Sequence, residues 1–136
     1  MQASPEIREA ALQALRDQLA GNLDAALQAM SQEPGFLSIG TAPAEWFSGF
    51  AAFEQAARAA TAAGGGGMPP LENVEVEAYQ EGTVGWGSER GTLRLPNGVA
   101  LSIRGTFVVH QEGGRWKAVQ THTSVGIPDD QIMNMK

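Results

Sequence analysis

The chain has 136 residues, of which 43% are hydrophobic and 18% are charged, and it contains no cysteine. This composition predicts one globular domain over residues 1–136, neither disordered nor embedded in a membrane. The missing cysteines exclude disulfides and thiolate metal sites. The formal net charge is -6, and because nucleic acids and anionic membranes bind clustered lysines and arginines, neither is expected as a partner.

The N-terminal residues predict helices and not a targeting segment. Residues 1–10 are polar and include two glutamates, unlike a secretion signal, so we expect a cytoplasmic protein. Ser4-Pro5-Glu6 is typical of a helix start, and apolar residues then recur every four positions until Gly21 ends the helix. Leu23 to Met30 has the pattern of a second, short helix, and together the two helices should form an apolar cover.

Short elements and breaks alternate in the middle of the chain. Phe36 to Ile39 is predicted as a short strand, and the loop after it carries two adjacent aromatic residues, Trp46 and Phe47, whose rings we expect to tuck inward. Phe50 to Ala63 is alanine-rich and predicted as a helix. The four glycines at 64–67 are interpreted as a flexible linker, since a phosphate loop would have Lys-Ser/Thr after them.

The C-terminal half predicts four long antiparallel strands. Leu71 to Tyr79 alternates between apolar and polar residues, which is typical of a half-buried strand, and Thr83 to Leu95 continues as the next. Pro96-Asn97-Gly98 is a predicted turn into a long hairpin from Val99 to Gly126. The paired glycines Gly113-Gly114 supply its two-residue turn, and a short helix or tail is expected after the hairpin.

The turn sets the register of this hairpin, because it places Glu112 opposite Arg115 and so assigns every later residue to one of two faces. The predicted core-facing row is Leu101, Ile103, Phe107, Val109, Trp116, Ala118, Gln120, His122 and Ser124. The predicted opposite row is Ser102, Arg104, Thr106, Val108, Val119, Thr121, Thr123 and Val125. The second row is too apolar for plain solvent exposure, so we expect helices on one face and a second subunit on the other.

This order of elements resembles the nuclear transport factor 2-like superfamily over nearly the whole chain. Residues Ile39 to Phe47 and Arg115 to Ser124 look, more narrowly, like its SnoaL-like branch. The resemblance implies an α+β fold in which a curved antiparallel sheet wraps around N-terminal helices as a cone-shaped, cystatin-like half barrel. It also implies a pocket at the open end and dimers formed through the outer sheet face. The superfamily includes isomerases, cyclases, epoxide hydrolases and noncatalytic members, so fold does not decide function.

Acid–base chemistry has few candidates in this chain. Enzymes of the superfamily commonly use an aspartate inside the cone as general base, and all four aspartates here fall on helices or near the C-terminus. His122 is therefore the best catalytic candidate, since imidazole can act as a base near pH 7. The alternative is a hydrogen-bonded histidine at a subunit contact or in the core. The strand glutamates Glu75, Glu77 and Glu89 are further candidates, although such glutamates more often form a solvated face.

A ligand pocket is predicted from aromatic walls and a few polar anchors: Trp46, Phe47, Trp86, Arg104, Gln120 and His122. Arg104 in mid-strand requires a carboxylate from a strand glutamate, a partner subunit or an acidic ligand. Two separated histidines without cysteine do not predict a metal site, and no cofactor is expected. We predict a homodimer with a mainly apolar pocket for a small hydrophobic molecule, more a binder than an enzyme. The alternatives are a cofactor-free isomerase, cyclase or hydrolase, and a structural dimerisation module.

Overall fold

The computed structural model describes residues 1–65 and 69–134, so half of the predicted glycine linker, Gly66 and Gly67, lies outside the described residues. Helices and strands follow one another in these ranges as β1 (Gln2–Ala3), α1 (Pro5–Leu19), α2 (Leu23–Gln28), β2 (Leu37–Ile39), β3 (Trp46–Ser48), α3 (Phe50–Ala62), β4 (Glu72–Glu81), β5 (Val84–Arg94), β6 (Ala100–Glu112), β7 (Arg115–Gly126) and α4 (Asp129–Met133). None of the helices described is both long and apolar enough to cross a membrane.

The strands described form one seven-stranded sheet in the order β1-β4-β5-β6-β7-β2-β3. Strands β4 to β7 are the antiparallel meander that the sequence predicts, and β2 lies parallel to β7. Two short strands are additional: β1 pairs with the edge of β4, and β3 pairs with β2. The loop predicted at 40–49 was therefore wrong for residues 46–48, because Ile39 pairs with Trp46 there. The α+β class with N-terminal helices against a curved antiparallel sheet is confirmed.

One side of the sheet, here called the inner face, is covered by α1. The Ser4 hydroxyl caps this helix by accepting a hydrogen bond from the Ile7 amide at 3.1 Å, and Pro5 occupies the first turn. The Arg8 side chain donates to the Val76 carbonyl of β4 at 3.0 Å. These contacts hold α1 against β4 and β5, and Ile7 of α1 is almost fully buried between the helix and the sheet.

The core lies between α1 and the inner face, and it consists of Ile7, Val76, Ala78, Phe107, Val109 and Trp116. Glycines in β5 make this packing possible, because a side chain at Gly87 would overlap the Phe107 ring and one at Gly85 would overlap Ile7. These glycines therefore allow neighbouring side chains to approach the sheet closely.

The end of α2 is tied to the central hairpin through Ser31. Ser31 is fully buried, its amide donates to the Ala118 carbonyl at 2.8 Å, and its hydroxyl donates to Glu112 Oε2 at 2.7 Å. His110 Nδ1 lies 3.2 Å from the same carboxylate oxygen. A buried hydroxyl needs such a partner, so Glu112 at the hairpin turn fixes where the helices lie along β7.

Compared with the prediction, the observed hairpin register shifts by one residue at Val119, and the shift persists to the end of β7. Near the turn the pairing is as predicted, with Val109 opposite Ala118, but Val108 then pairs with Gln120 and leaves Val119 without a partner. Such an extra residue is a β-bulge. Because side chains alternate between faces, a shift of one residue moves all later side chains of β7 to the opposite face.

The bulge reverses the predicted faces for the second half of β7. Gln120, His122 and Ser124 lie on the outer face, paired with Val108, Thr106 and Arg104 respectively. Residues Thr121, Thr123 and Val125 lie on the inner face instead, so they do not belong to the surface on which a second subunit was expected. The predicted core-facing position of His122 was wrong, since the side chain is exposed.

The core position of Phe107 gives a stability test. Phe107 is 8% exposed, and truncating a buried phenylalanine to alanine costs about 3 to 5 kcal/mol. We expect Phe107→Ala to lose this much in chemical unfolding. Its neighbour Val108 lies on the outer face and is only half-buried, so Val108→Ala is the matched control and should cost about 1 kcal/mol or less. Equal losses would show that the two faces are assigned incorrectly.

Candidate functional site

A depression of about 600 Å³ lies on the outer face of the sheet, across β4 to β7. Its lining side chains on this face are Glu75, Glu77, Ser88, Arg90, Arg104, Thr106, His122 and Ser124. They are neighbours because cross-strand pairs share a face: Glu77, Ser88, Thr106 and His122 follow one row of pairs across the strands. The surface is polar and carries both signs of charge.

Only part of the charge in this depression is neutralised within the described residues. Arg90 donates from Nη2 to Glu75 Oε2 at 2.7 Å and from Nε to the same oxygen at 2.9 Å, and both side chains are largely exposed. Arg104 and Glu77 form neither an ion pair nor a side-chain hydrogen bond with the described part of the chain. The carboxylate that the sequence requires for Arg104 is therefore not supplied by its own strand neighbours.

The predicted pocket residues are divided between two places. Arg104 and His122 come together in the depression. Trp86 and Gln120 lie on the same face outside its lining, and Trp46 reaches that face through its pairing with Ile39 beside His122. Trp46 is 63% exposed, so the expectation that its ring tucks inward was wrong.

Phe47 points the other way, into an apolar cleft of about 270 Å³ between α2, α3 and β3. The Phe47 and Phe53 rings meet edge to face with centroids 6.1 Å apart, and Phe53 packs in turn on the buried Phe36 at 5.6 Å. The apolar side chains of the cleft are Leu23, Ala26, Leu27, Phe47, Phe53, Ala56, Ala57 and Ala60. The α3 side of the cleft is lined largely by alanines. Because alanine side chains are small, they leave space that larger side chains would fill.

A third feature is Glu89, which also borders the depression, although its pairing with Val76 and Gly105 places its side chain on the inner face of β5. A methyl group at Gly105 would lie 3.3 Å from Glu89 Oε1, so the carboxyl rests over that glycine. The side chain is half-buried, and burial raises the pKa of the Glu89 carboxyl above its usual value. No hydrogen bond or ion pair joins it to the rest of the described chain.

Glu89 is the strand glutamate with the environment of an acid–base group, since a raised pKa brings a carboxyl closer to neutral pH. Glu75 and Glu77 lie on the opposite, exposed face. The alternation of side chains along a strand separates Glu89 from Glu75 and Glu77, because Glu89 lies on the same face of β5 as the buried Leu93. His122, on the exposed face, lacks the enclosure that such chemistry requires.

The comparisons with known proteins agree with this architecture. The family model described as a SnoaL-like domain matches residues 7–128. The chain belongs to the SnoaL-like domain family. No curated protein matches it significantly.

Solved structures share the fold of this SnoaL-like chain at low identity. An NTF2-like protein of unknown function from Pseudomonas putida has a TM-score of 0.72 at 14% identity, covering 93% of this chain and 88% of that one. A "putative ketosteroid isomerase" from Parabacteroides distasonis has a TM-score of 0.68 at 14% identity over 93% and 92%. A protein of unknown function with a cystatin-like fold from Nostoc punctiforme has 0.65 at 12% over 93% and 96%. The likeness shows an NTF2-like, cystatin-like fold.

The raised pKa of Glu89 makes stability depend on pH in a defined direction. The folded state holds this proton more tightly than the unfolded chain, so the stability contributed by the group falls as pH rises from the ordinary 4.5 through the raised pKa. We expect Glu89→Gln to raise the melting temperature relative to wild type at pH 7 and to change it less at pH 4. Glu77→Gln, on the exposed face, is the control and should show no such difference between the two pH values.

Proposed function

We propose that this SnoaL-like domain binds a small apolar molecule in the cleft between α2, α3 and β3. The observation that carries the proposal is the composition of the cleft, which is lined by the Phe47 and Phe53 rings and by alanines of α2 and α3. Ligand sites are concave and mainly apolar, with a few polar groups. Of the six residues predicted to line a mainly apolar pocket, Phe47 lines this cleft, whereas Arg104 and His122 line the polar depression on the outer face.

The volume limits the ligand. Sites for drug-sized molecules usually occupy about 300 to 1,000 Å³, and this cleft has about 270 Å³. A single aromatic ring or a short branched chain matches such a space. Rings of this kind would gain edge or stacking contacts with Phe47 and Phe53 in addition to the hydrophobic contribution.

Filling the cleft should abolish binding. Ala57 lines it, whereas Ala59 is exposed on the same helix outside the lining. With phenethyl alcohol as probe, followed by NMR titration, wild type and Ala59→Leu should bind alike. Ala57→Leu should lose at least about tenfold in affinity, because three added carbons occupy the space. Equal affinity in all three proteins would place the probe elsewhere and contradict the proposal.

An enzyme is the second candidate, and Glu89 favours it. A half-buried carboxyl with a raised pKa and no partner in the described chain could move a proton on a bound molecule without a cofactor. This supports an isomerase-type reaction with Glu89 in the role that the sequence analysis assigned to His122 or a strand glutamate. Product analysis of ligand mixtures incubated with wild type distinguishes the enzyme from the binder.

We further propose that the chain forms a homodimer through the outer face. The support for this is that the face carries neighbouring apolar side chains and charges that are unpaired within the described residues. Tyr79, Trp86 and Val108 are neighbours across three strands on this face, and Tyr79 is 41% exposed. In a two-fold dimer, contacts are reciprocal, so Glu77 of each copy can meet Arg104 of the other. A chain that forms this dimer but binds no small molecule would correspond to the third alternative, a structural dimerisation module.

Charge reversal tests this interface. Light scattering of wild type at micromolar concentration should give about twice the 14.3 kDa of one chain. Glu77→Lys should weaken the dimer by at least about tenfold, because it opposes two like charges, and the combined change Glu77→Arg with Arg104→Glu should restore it. Glu33→Lys is the control, since Glu33 is exposed away from the sheet face. A wild type that stays monomeric would overturn the dimer.

A further inference from the structure

The apolar cleft carries negative charge at its edge. Asp17 at the end of α1 and Glu45 before β3 contribute to its lining, and the lining contains no lysine, arginine or histidine. Both acids are half-buried. Asp17 belongs to α1 and Glu45 to the loop before β3, so the two acids reach the edge of the aromatic cleft from different parts of the fold. The Glu45 carboxylate lies against Gly40 of its own loop.

Neither carboxylate is neutralised by the described part of the chain. Asp17 Oδ1 accepts a hydrogen bond from the Gln13 side-chain amide at 3.1 Å, and Glu45 Oε1 accepts one from the Ala42 backbone amide at 2.8 Å. These donors are neutral. On the neighbouring helices, by contrast, Glu54 and Asp24 pair with Arg58 at 3.0 and 3.7 Å.

We infer that the cleft selects an organic cation, an amine carried on a compact apolar or aromatic body; this rests on the proposed ligand site. Partly desolvated carboxylates attract a cation more strongly than exposed ones, because water screens them less. Aromatic rings add to the attraction, since the faces of Phe47 and Phe53 favour a cation within about 6 Å. An anionic ligand of the same shape would meet repulsion from both acids.

Three probes with the same ring and different head groups test the charge preference: phenethylamine, phenethyl alcohol and phenylacetate. By NMR titration at pH 7 and low salt, the amine should bind at least about tenfold tighter than the alcohol, the factor that one charge-assisted contact supplies. Phenylacetate should bind most weakly. The preference for the amine should shrink as salt is added.

The two acids can be neutralised without changing their shape. Asp17→Asn with Glu45→Gln should lower amine affinity about tenfold and leave alcohol affinity within about twofold. Asp24→Asn removes the same charge from a paired, exposed acid outside the lining and should change neither. Amine and alcohol binding with equal affinity, both lost in Ala57→Leu, would overturn the charge preference and leave the proposed site standing. Binding of none of the three probes would overturn both.

Discussion

The unpaired Val119 in β7 is the constraint on which the arrangement of this molecule depends. Up to Ala118 the hairpin follows the register set by its glycine turn, and beyond Val119 every side chain changes face. Ala118 is also where the end of α2 attaches, since its amide donates to the Ala29 carbonyl at 2.9 Å and its carbonyl accepts from Ser31. A bulge bends its strand and increases the local twist, which suits a sheet that curves around helices.

The consequence is a separation of polar and apolar chemistry between the two faces. His122 and Ser124 join Arg104 and Thr106 in an exposed polar depression, while Thr121 turns inward and donates to the buried Ser38 hydroxyl at 2.9 Å. With the opposite register, His122 would have pointed toward the helices. The outer face is therefore the one through which we propose that two chains associate, and the carboxyl whose pKa is raised by burial is that of Glu89 on β5.

Loose packing of α3 accounts for the proposed ligand cleft. The helix has no buried residue, and its main contacts are with α2 and β3. Alanines contribute little volume, so the aromatic cluster of Phe36, Phe47 and Phe53 is incompletely covered. Sites that bind ligands commonly sacrifice stability in this way.

Local patterns in the sequence were enough to predict the helices and the four-strand meander, because capping residues, apolar periodicity and glycine turns act over a few neighbouring residues. They also placed Trp116 and Phe107 in the core. The α+β class with its curved sheet was implied by the resemblance of this order of elements to the nuclear transport factor 2-like superfamily. The strand at Trp46 was missed because it exists only through pairing with β2. His122 was assigned to the wrong face because a bulge depends on the attachment of α2 and on core packing, not on the residues of the hairpin turn. Glu89 could be distinguished by parity, but its burial required the tertiary structure. So did the cleft that Phe47 and Glu45 share with Asp17, since Asp17 lies far from them in the chain and only folding brings α1 and β3 together.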